Sequence, residues 1–245
     1  MCILFLAINQ DSDYPLIICA NRDEFHQRPT QAAHFWPENS NLLAGKDIEA
    51  GGSWLGVNKA GYFAAITNLR TGQPPSENKK SRGDLVLLAL GADSIINKQW
   101  LEQYSHQYNP FNLIYGSLHK LFCFNSASGQ QTTLSDGFHA ISNASMDDVW
   151  PKMTKGERGL ESLVKSNQKI DKDKLLLLLQ DQTKVELGHL PNTGIPVEWE
   201  QLLSSIFICS EKYGTRSSSL VLQKEDSSIE FLEVQYDVQG KQVNL

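Results

Sequence analysis

Cys2 is the side chain best placed in this sequence to do covalent chemistry. A small second residue generally permits removal of Met1. Cys2 would then carry the chain's free α-amine beside its own thiol, the layout of an N-terminal nucleophile whose amine serves as base. An ordinary thiol titrates near about 8.5 and an α-amine near about 7.7–8.0, so the pair can share a proton close to neutrality. The competing reading is a small buried residue opening a strand, the usual fate of cysteine. Position two favours the nucleophile.

A second polar group is Asn21-Arg22-Asp23-Glu24, which follows an apolar run. An Arg–Asp pair can hold an ammonium, a thiolate or a ligand carboxylate, and Arg22 beside Cys2 would favour the thiolate. A solvated strand end is the alternative. Asn68 and Asn143 each end a predicted strand, where an amide NH2 can serve as an oxyanion donor or simply form a turn. Arg216 lies amid small hydroxyls in Tyr213-Gly214-Thr215-Arg216-Ser217-Ser218-Ser219, which could cradle an anionic group or make a turn. The six histidines show no metal-ligand spacing, no GxSxG element occurs, and Gly51-Gly52 lacks the residues of a phosphate loop. No catalytic metal is expected.

The apolar runs Ile3 to Ile8 and Tyr14 to Ala20 flank a polar cluster and predict a β-hairpin. A loop confined to Gln10–Asp13 pairs Asn9 with Tyr14 and sets Cys2 opposite Asn21. Strand alternation keeps all four residues of Asn21–Glu24 from facing Cys2 together. A second hairpin is predicted where 52–57 and 62–68 flank Asn58-Lys59-Ala60-Gly61. Helices are expected over 85–90, with Ser81 and Asp84 as a capping box, and over about 93–104, 148–166 and 172–181. Further strands are expected at 111–115, 121–124, 140–142, 206–209, 218–222 and 229–236. Several of these are apolar throughout, as strands covered on both faces are. Largely antiparallel sheets with double cover point to an α+β, four-layer αββα sandwich forming one domain over 1–245.

The composition excludes several functions. Hydrophobic content of 40% and charged content of 20% are ordinary for a globular chain. A net charge of -6 carries no nucleic-acid footprint. No apolar stretch approaches the roughly 20 residues of a membrane span. The opening run lacks a basic n-region, and the four cysteines show no CxxC spacing. A cytoplasmic location is expected.

Met1-Cys2-Ile3, Ala20-Asn21-Arg22-Asp23-Glu24-Phe25, Arg28-Pro29, Gly51-Gly52-Ser53-Trp54-Leu55-Gly56 and Thr67-Asn68 resemble the NRDE family. So do Arg82-Gly83, Tyr108-Asn109-Pro110-Phe111-Asn112-Leu113, Ser142-Asn143 and Tyr213-Gly214-Thr215-Arg216. This is the family of the transport and Golgi organisation protein 2. The resemblance implies an N-terminal-nucleophile hydrolase fold and a part in haem homeostasis. Haem would be a reversibly bound, transported ligand, exchanged with donor or acceptor proteins. Asn21, Arg22, Asp23, Glu24, His26 and Arg216 are the ligand-binding residues expected on that reading. A more distant likeness is to cysteine hydrolases of the bile-salt hydrolase and penicillin V acylase type. It implies an amidohydrolase of non-peptide C–N bonds using Cys2, Arg22, Asp23, Asn68, Asn143 and Arg216. Those enzymes read roughly Gly-Arg-Asn-x-Asp at the second strand, whereas this chain reads Ala20-Asn21-Arg22-Asp23-Glu24, which opens the carboxylate role to Glu24 as well.

Overall fold

The computed structural model describes residues 2–146, 148–166 and 169–243. Met1, on whose removal the free amine depends, lies outside them. The chain begins with β1 (Cys2–Ile8), β2 (Leu16–Phe25), β3 (Thr30–Trp36), β4 (Asn39–Asp47), β5 (Leu55–Asn58) and β6 (Tyr62–Asn68). Two helices follow, α1 (Gly83–Leu90) and α2 (Lys98–Tyr104), then β7 (Phe111–Ser117), β8 (Lys120–Asn125), β9 (Gln130–Thr133) and β10 (Gly137–Ile141). Helices α3 (Pro151–Val164), α4 (Lys172–Leu179) and α5 (Val197–Leu202) precede β11 (Tyr213–Gln223), β12 (Ile229–Tyr236) and β13 (Gln242–Val243). Two compact units result, Met1–Gln27 with Ser135–Leu245, and Arg28–Leu134. Each holds one sheet whose named strands all pair antiparallel, in the orders β10-β1-β2-β11-β12-β13 and β3-β4-β5-β6-β7-β8-β9. The expected α+β class with two antiparallel sheets is what the chain forms.

The first hairpin forms, but its register differs from the expected one. Ile8 pairs with Leu16, and Cys2 with Arg22 instead of Asn21. The cause is the turn. Asp11 Oδ1 accepts the N–H groups of Asp13 and Tyr14 at 3.0 and 2.9 Å, withdrawing Tyr14 from the ladder. Asn9, with φ of 53°, donates its N–H to the Pro15 carbonyl at 2.7 Å, so the loop runs from Asn9 to Pro15. A one-residue shift exchanges faces along the strand, and it brings a guanidinium onto the face of Cys2.

In this first unit Ile3, Phe5, Ala7, Ile17, Cys19, Leu220 and Leu222 form one core with Met153 and Leu160 of α3 and Leu175 and Leu179 of α4. Gly156 permits the close approach of α3, since a Cβ there would stand 2.0 Å from Phe5 Cζ. Leu4, Leu6 and Ile18 point to the opposite face and are buried too, the double cover their continuous apolarity foretold. The apolar run 206–209 is not a strand. Phe207 N–H donates to the Asp181 carbonyl at 2.8 Å and Ile208 N–H to Thr215 Oγ1 at 2.9 Å, so its polar backbone is satisfied without a ladder.

In the second unit α1 packs on β5, β6 and β7, burying Leu85, Val86, Ala89 and Leu90. Helix α2 starts later than expected because the Asn97 side chain caps Trp100 N–H at 2.9 Å. The Gly51-Gly52-Ser53-Trp54 block is a packing device. A Cβ on Gly52 would meet the Gly83 carbonyl carbon at 2.6 Å, and Ser53 N–H donates to the Gly83 carbonyl at 3.3 Å. Among the described residues no helix is long and apolar enough to cross a membrane.

Candidate active site

The antiparallel register of the first sheet aligns Cys2 (β1), Arg22 (β2), Ser217 (β11) and Gln235 (β12) as direct cross-strand neighbours. Residues directly opposite one another share a face, so these four side chains leave the sheet on one side. Asn143 follows the end of β10, the other strand paired with β1. Ser142 Oγ lies 3.3 Å from both the Cys2 carbonyl and Asn143 Oδ1, offering its single proton to either, and Asn143 is buried. Ser142 Oγ therefore sits between the Cys2 backbone and the Asn143 side chain and donates to one of them at a time.

Arg216 owes its place to a β-bulge. The register steps from Thr215↔Asp23 to Ser217↔Arg22, leaving Arg216 as the extra residue. Without it, Thr215 and Ser217 would point the same way. With it, Thr215 shares the face of Asp23 while Ser217 shares that of Arg22, the re-aiming that bulges produce. Arg216 Nη1 donates to the carbonyls of Phe25 and His26 at 3.0 and 3.1 Å, bracing the end of β2.

The other members of the polar cluster divide by face. Asn21 turns to the helices, donating from Nδ2 to the Leu179 and Ile206 carbonyls at 2.8 and 3.0 Å and accepting from Ser218 Oγ at 2.6 Å. It ties α4 to the sheet and is not on the face of Cys2, contrary to the expected register. Asp23 alternates onto the same side, where its Oδ1 accepts from Thr215 Oγ1 at 2.7 Å. His26 Nε2 lies 3.0 Å from the Ser210 carbonyl and its N–H donates to the Lys212 carbonyl, so one ring nitrogen is engaged in holding the loop. Asn68 belongs to the other unit, where it closes β6 opposite Phe111.

Burial dominates the electrostatics. It pushes the Cys2 thiol up, with Arg22 opposing and Asp23 and Glu24 adding to the rise. Arg22 favours the thiolate, as expected, but burial outweighs it. Burial likewise raises the Asp23 carboxyl, opposed by Lys152, the Thr215 hydrogen bond and Arg22. Burial lowers Arg216, and the like charge of Arg22 lowers it further while Glu24 raises it. Arg22, Glu24 and Arg216 thus interact electrostatically as one cluster, joining opposite ends of the sequence. Sequence reasoning missed Lys152, buried on α3 with Nζ donating to the Leu203 carbonyl at 2.9 Å, and the opposed roles of Thr215 and Ser217. Lysine on an amphipathic helix looks solvated, and a bulge has no signature in residue type.

The raised Asp23 carboxyl has a consequence for stability. Below its ordinary value of 3.8 the carboxyl is neutral whether the chain is folded or not, and it imposes no penalty. As pH rises from there through the raised native value, the unfolded chain sheds its proton first and stability falls. Asp23→Asn, which keeps an acceptor for Thr215, is expected to raise the melting temperature by a few degrees at pH 7 and to lose that gain below about pH 4. Thermal melts across pH read both arms.

The two antiparallel sheets and the superpositions that follow give the chain the N-terminal-nucleophile hydrolase fold. Penicillin V acylase from Agrobacterium tumefaciens superposes with a TM-score of 0.51 at 10% identity, over 96% of this chain and 86% of the acylase. The mutant C2A conjugated bile acid hydrolase from Clostridium perfringens matches with the same TM-score and identity, over 100% and 97% of the two chains. Residues 1–238 match the Transport and Golgi organisation 2 family, and the chain belongs to it. The mouse Transport and Golgi organization 2 homolog is 31% identical over 95% of this chain and 92% of its own length. The Drosophila melanogaster Transport and Golgi organization protein 2 is 29% identical over 95% and 91%.

Proposed function

We propose that the chain is a cysteine amidohydrolase of the N-terminal-nucleophile type, acting on non-peptide C–N amides that carry an anionic group. The observation that carries this reading is Cys2 at the head of an inner strand, directly opposite Arg22, with the Ser142 hydroxyl within reach of both the Cys2 carbonyl and Asn143 Oδ1. With Met1 removed, the α-amine of Cys2 accepts the thiol proton as Sγ attacks the amide carbon. The Asn143 amide donates to the oxyanion that develops. The resulting ammonium returns its proton to the departing nitrogen, the C–N bond breaks, and a thioester remains on Cys2. Water, deprotonated by the same amine, then attacks the thioester and releases the acid.

A second reading, reversible carriage of haem as cargo, is favoured by the pairing of Arg22 with Arg216, two cations suited to two propionates. Cys2 and the free ring nitrogen of His26 are the side chains nearest to hand for weak axial ligation. Haem donors and acceptors would then be the partners. Four free cysteines, three of them buried, support a reducing, cytoplasmic setting for either function. Intact mass of the purified chain separates the readings at the first step. Loss of Met1 and turnover of N-acyl amides support hydrolysis. A retained Met1 with stoichiometric haemin binding overturns it in favour of carriage.

A further inference from the structure

Ser217 has a feature that neither chemistry nor packing yet explains. It is 1% exposed, and its Oγ has no hydrogen-bond partner among the described residues. A buried hydroxyl left unpaired is costly, and alanine or valine would fill a strand position at no such cost. Its neighbours on β11 behave otherwise. Thr215 Oγ1 is engaged by Asp23 and by Ile208 N–H, and Ser218 Oγ by Asn21 and Tyr236. The orphaned hydroxyl is the one that the bulge at Arg216 turns onto the face of Cys2 and Arg22.

We infer that Ser217 is a ligand-contacting residue whose hydroxyl donates to a carboxylate of the substrate, beside the Arg22 guanidinium. Strands lie about 4.8 Å apart, so two strand spacings, roughly 10 Å of backbone, separate Cys2 from Ser217. An amide whose carbonyl carbon meets Sγ can reach this hydroxyl with a carboxylate on the same molecule, Arg22 standing between the two. A neutral ligand would leave the Ser217 hydroxyl without an anionic acceptor, and a buried donor of this kind discriminates strongly against ligands that cannot satisfy it. The site selects carboxylate-bearing amides over neutral ones of the same length.

The position of the reacting carbon rests on the amidohydrolase reading, but the anion contact is tested by binding alone. The experiment uses the full chain carrying Cys2→Ala, which cannot turn over, with hexanoate and hexanamide as calorimetric probes. Hexanoate is expected to bind more tightly than hexanamide. Adding Ser217→Ala should weaken hexanoate about tenfold while leaving hexanamide unchanged, and Ser217→Thr, which keeps the hydroxyl, should restore most of the loss. Hexanoate that fails to bind, or that binds equally with and without the Ser217 hydroxyl in variants of unchanged melting temperature, overturns the inference. Failure of the amidohydrolase reading would show separately, as absence of turnover in the chain with Cys2 intact.

Discussion

Replacing Cys2 by alanine is expected to abolish hydrolysis of N-acyl amides, lowering the rate by at least about a thousandfold, while the fold stays intact. The magnitude follows from removing the atom that forms the covalent bond, which no neighbouring group can replace. The fold should survive because the change deletes one small side-chain atom at the first residue of β1, and the β1–β2 ladder runs on from Ile3 to Ile8. A drop in melting temperature of no more than a few degrees is expected. On the haem-carriage reading, haemin binding should instead persist in this variant. A wild-type spectrum of thiolate-ligated haem that vanishes in Cys2→Ala would make Cys2 a ligand and not a nucleophile.

Arg22→Ala should weaken binding of a carboxylate ligand tenfold or more. A hydrogen bond between charged groups contributes about 1.5–3 kcal/mol, and about 1.4 kcal/mol corresponds to a factor of ten. Arg22→Lys should recover only part of the loss, since an ammonium does not reproduce a planar two-pronged contact. Arg216→Ala is expected to differ in kind. Its Nη1 donates to the Phe25 and His26 carbonyls, so its removal frees the end of β2 and lowers the melting temperature as well as the affinity. Titration with hexanoate or haemin, paired with thermal melts, separates the two arginines. Unchanged affinity in both variants would leave them as braces for the strand ends.

Much of this arrangement is legible in the sequence because it depends on pattern. Continuous apolarity in 3–8 and 16–20 foretells inner strands, and Leu4, Leu6 and Ile18 are buried on the face that carries no helix core. What escapes is set by single hydrogen bonds. Asp11 takes two backbone N–H groups and lengthens the first turn, which moves the partner of Cys2 from Asn21 to Arg22. The strand expected at 206–209 fails because side chains and a helix end satisfy its backbone, although its residues are as apolar as those of a true strand. Strands β3 and β4 carry polar residues such as His34, Asn39 and Ser40 and give no comparable signal. The site shows the same division. Residue types nominate Cys2, Arg22, Asn143 and Arg216, whereas the extra residue in β11 that parts Ser217 from Thr215 appears only in three dimensions.

The central claim is that Cys2 forms a thioester with the acyl group of its substrate. Brief incubation with the mono-4-nitrophenyl ester of adipic acid, whose second carboxylate is free, followed by acid quench and peptide mapping by mass spectrometry tests this directly. The exposed Cys209 serves as the internal control for nonspecific acylation. The account predicts a chain lacking Met1 with one adipoyl group on Cys2, formed faster than any on Cys209 and absent from Cys2→Ala. A chain that retains Met1 and carries the acyl group on Cys209 alone would contradict it.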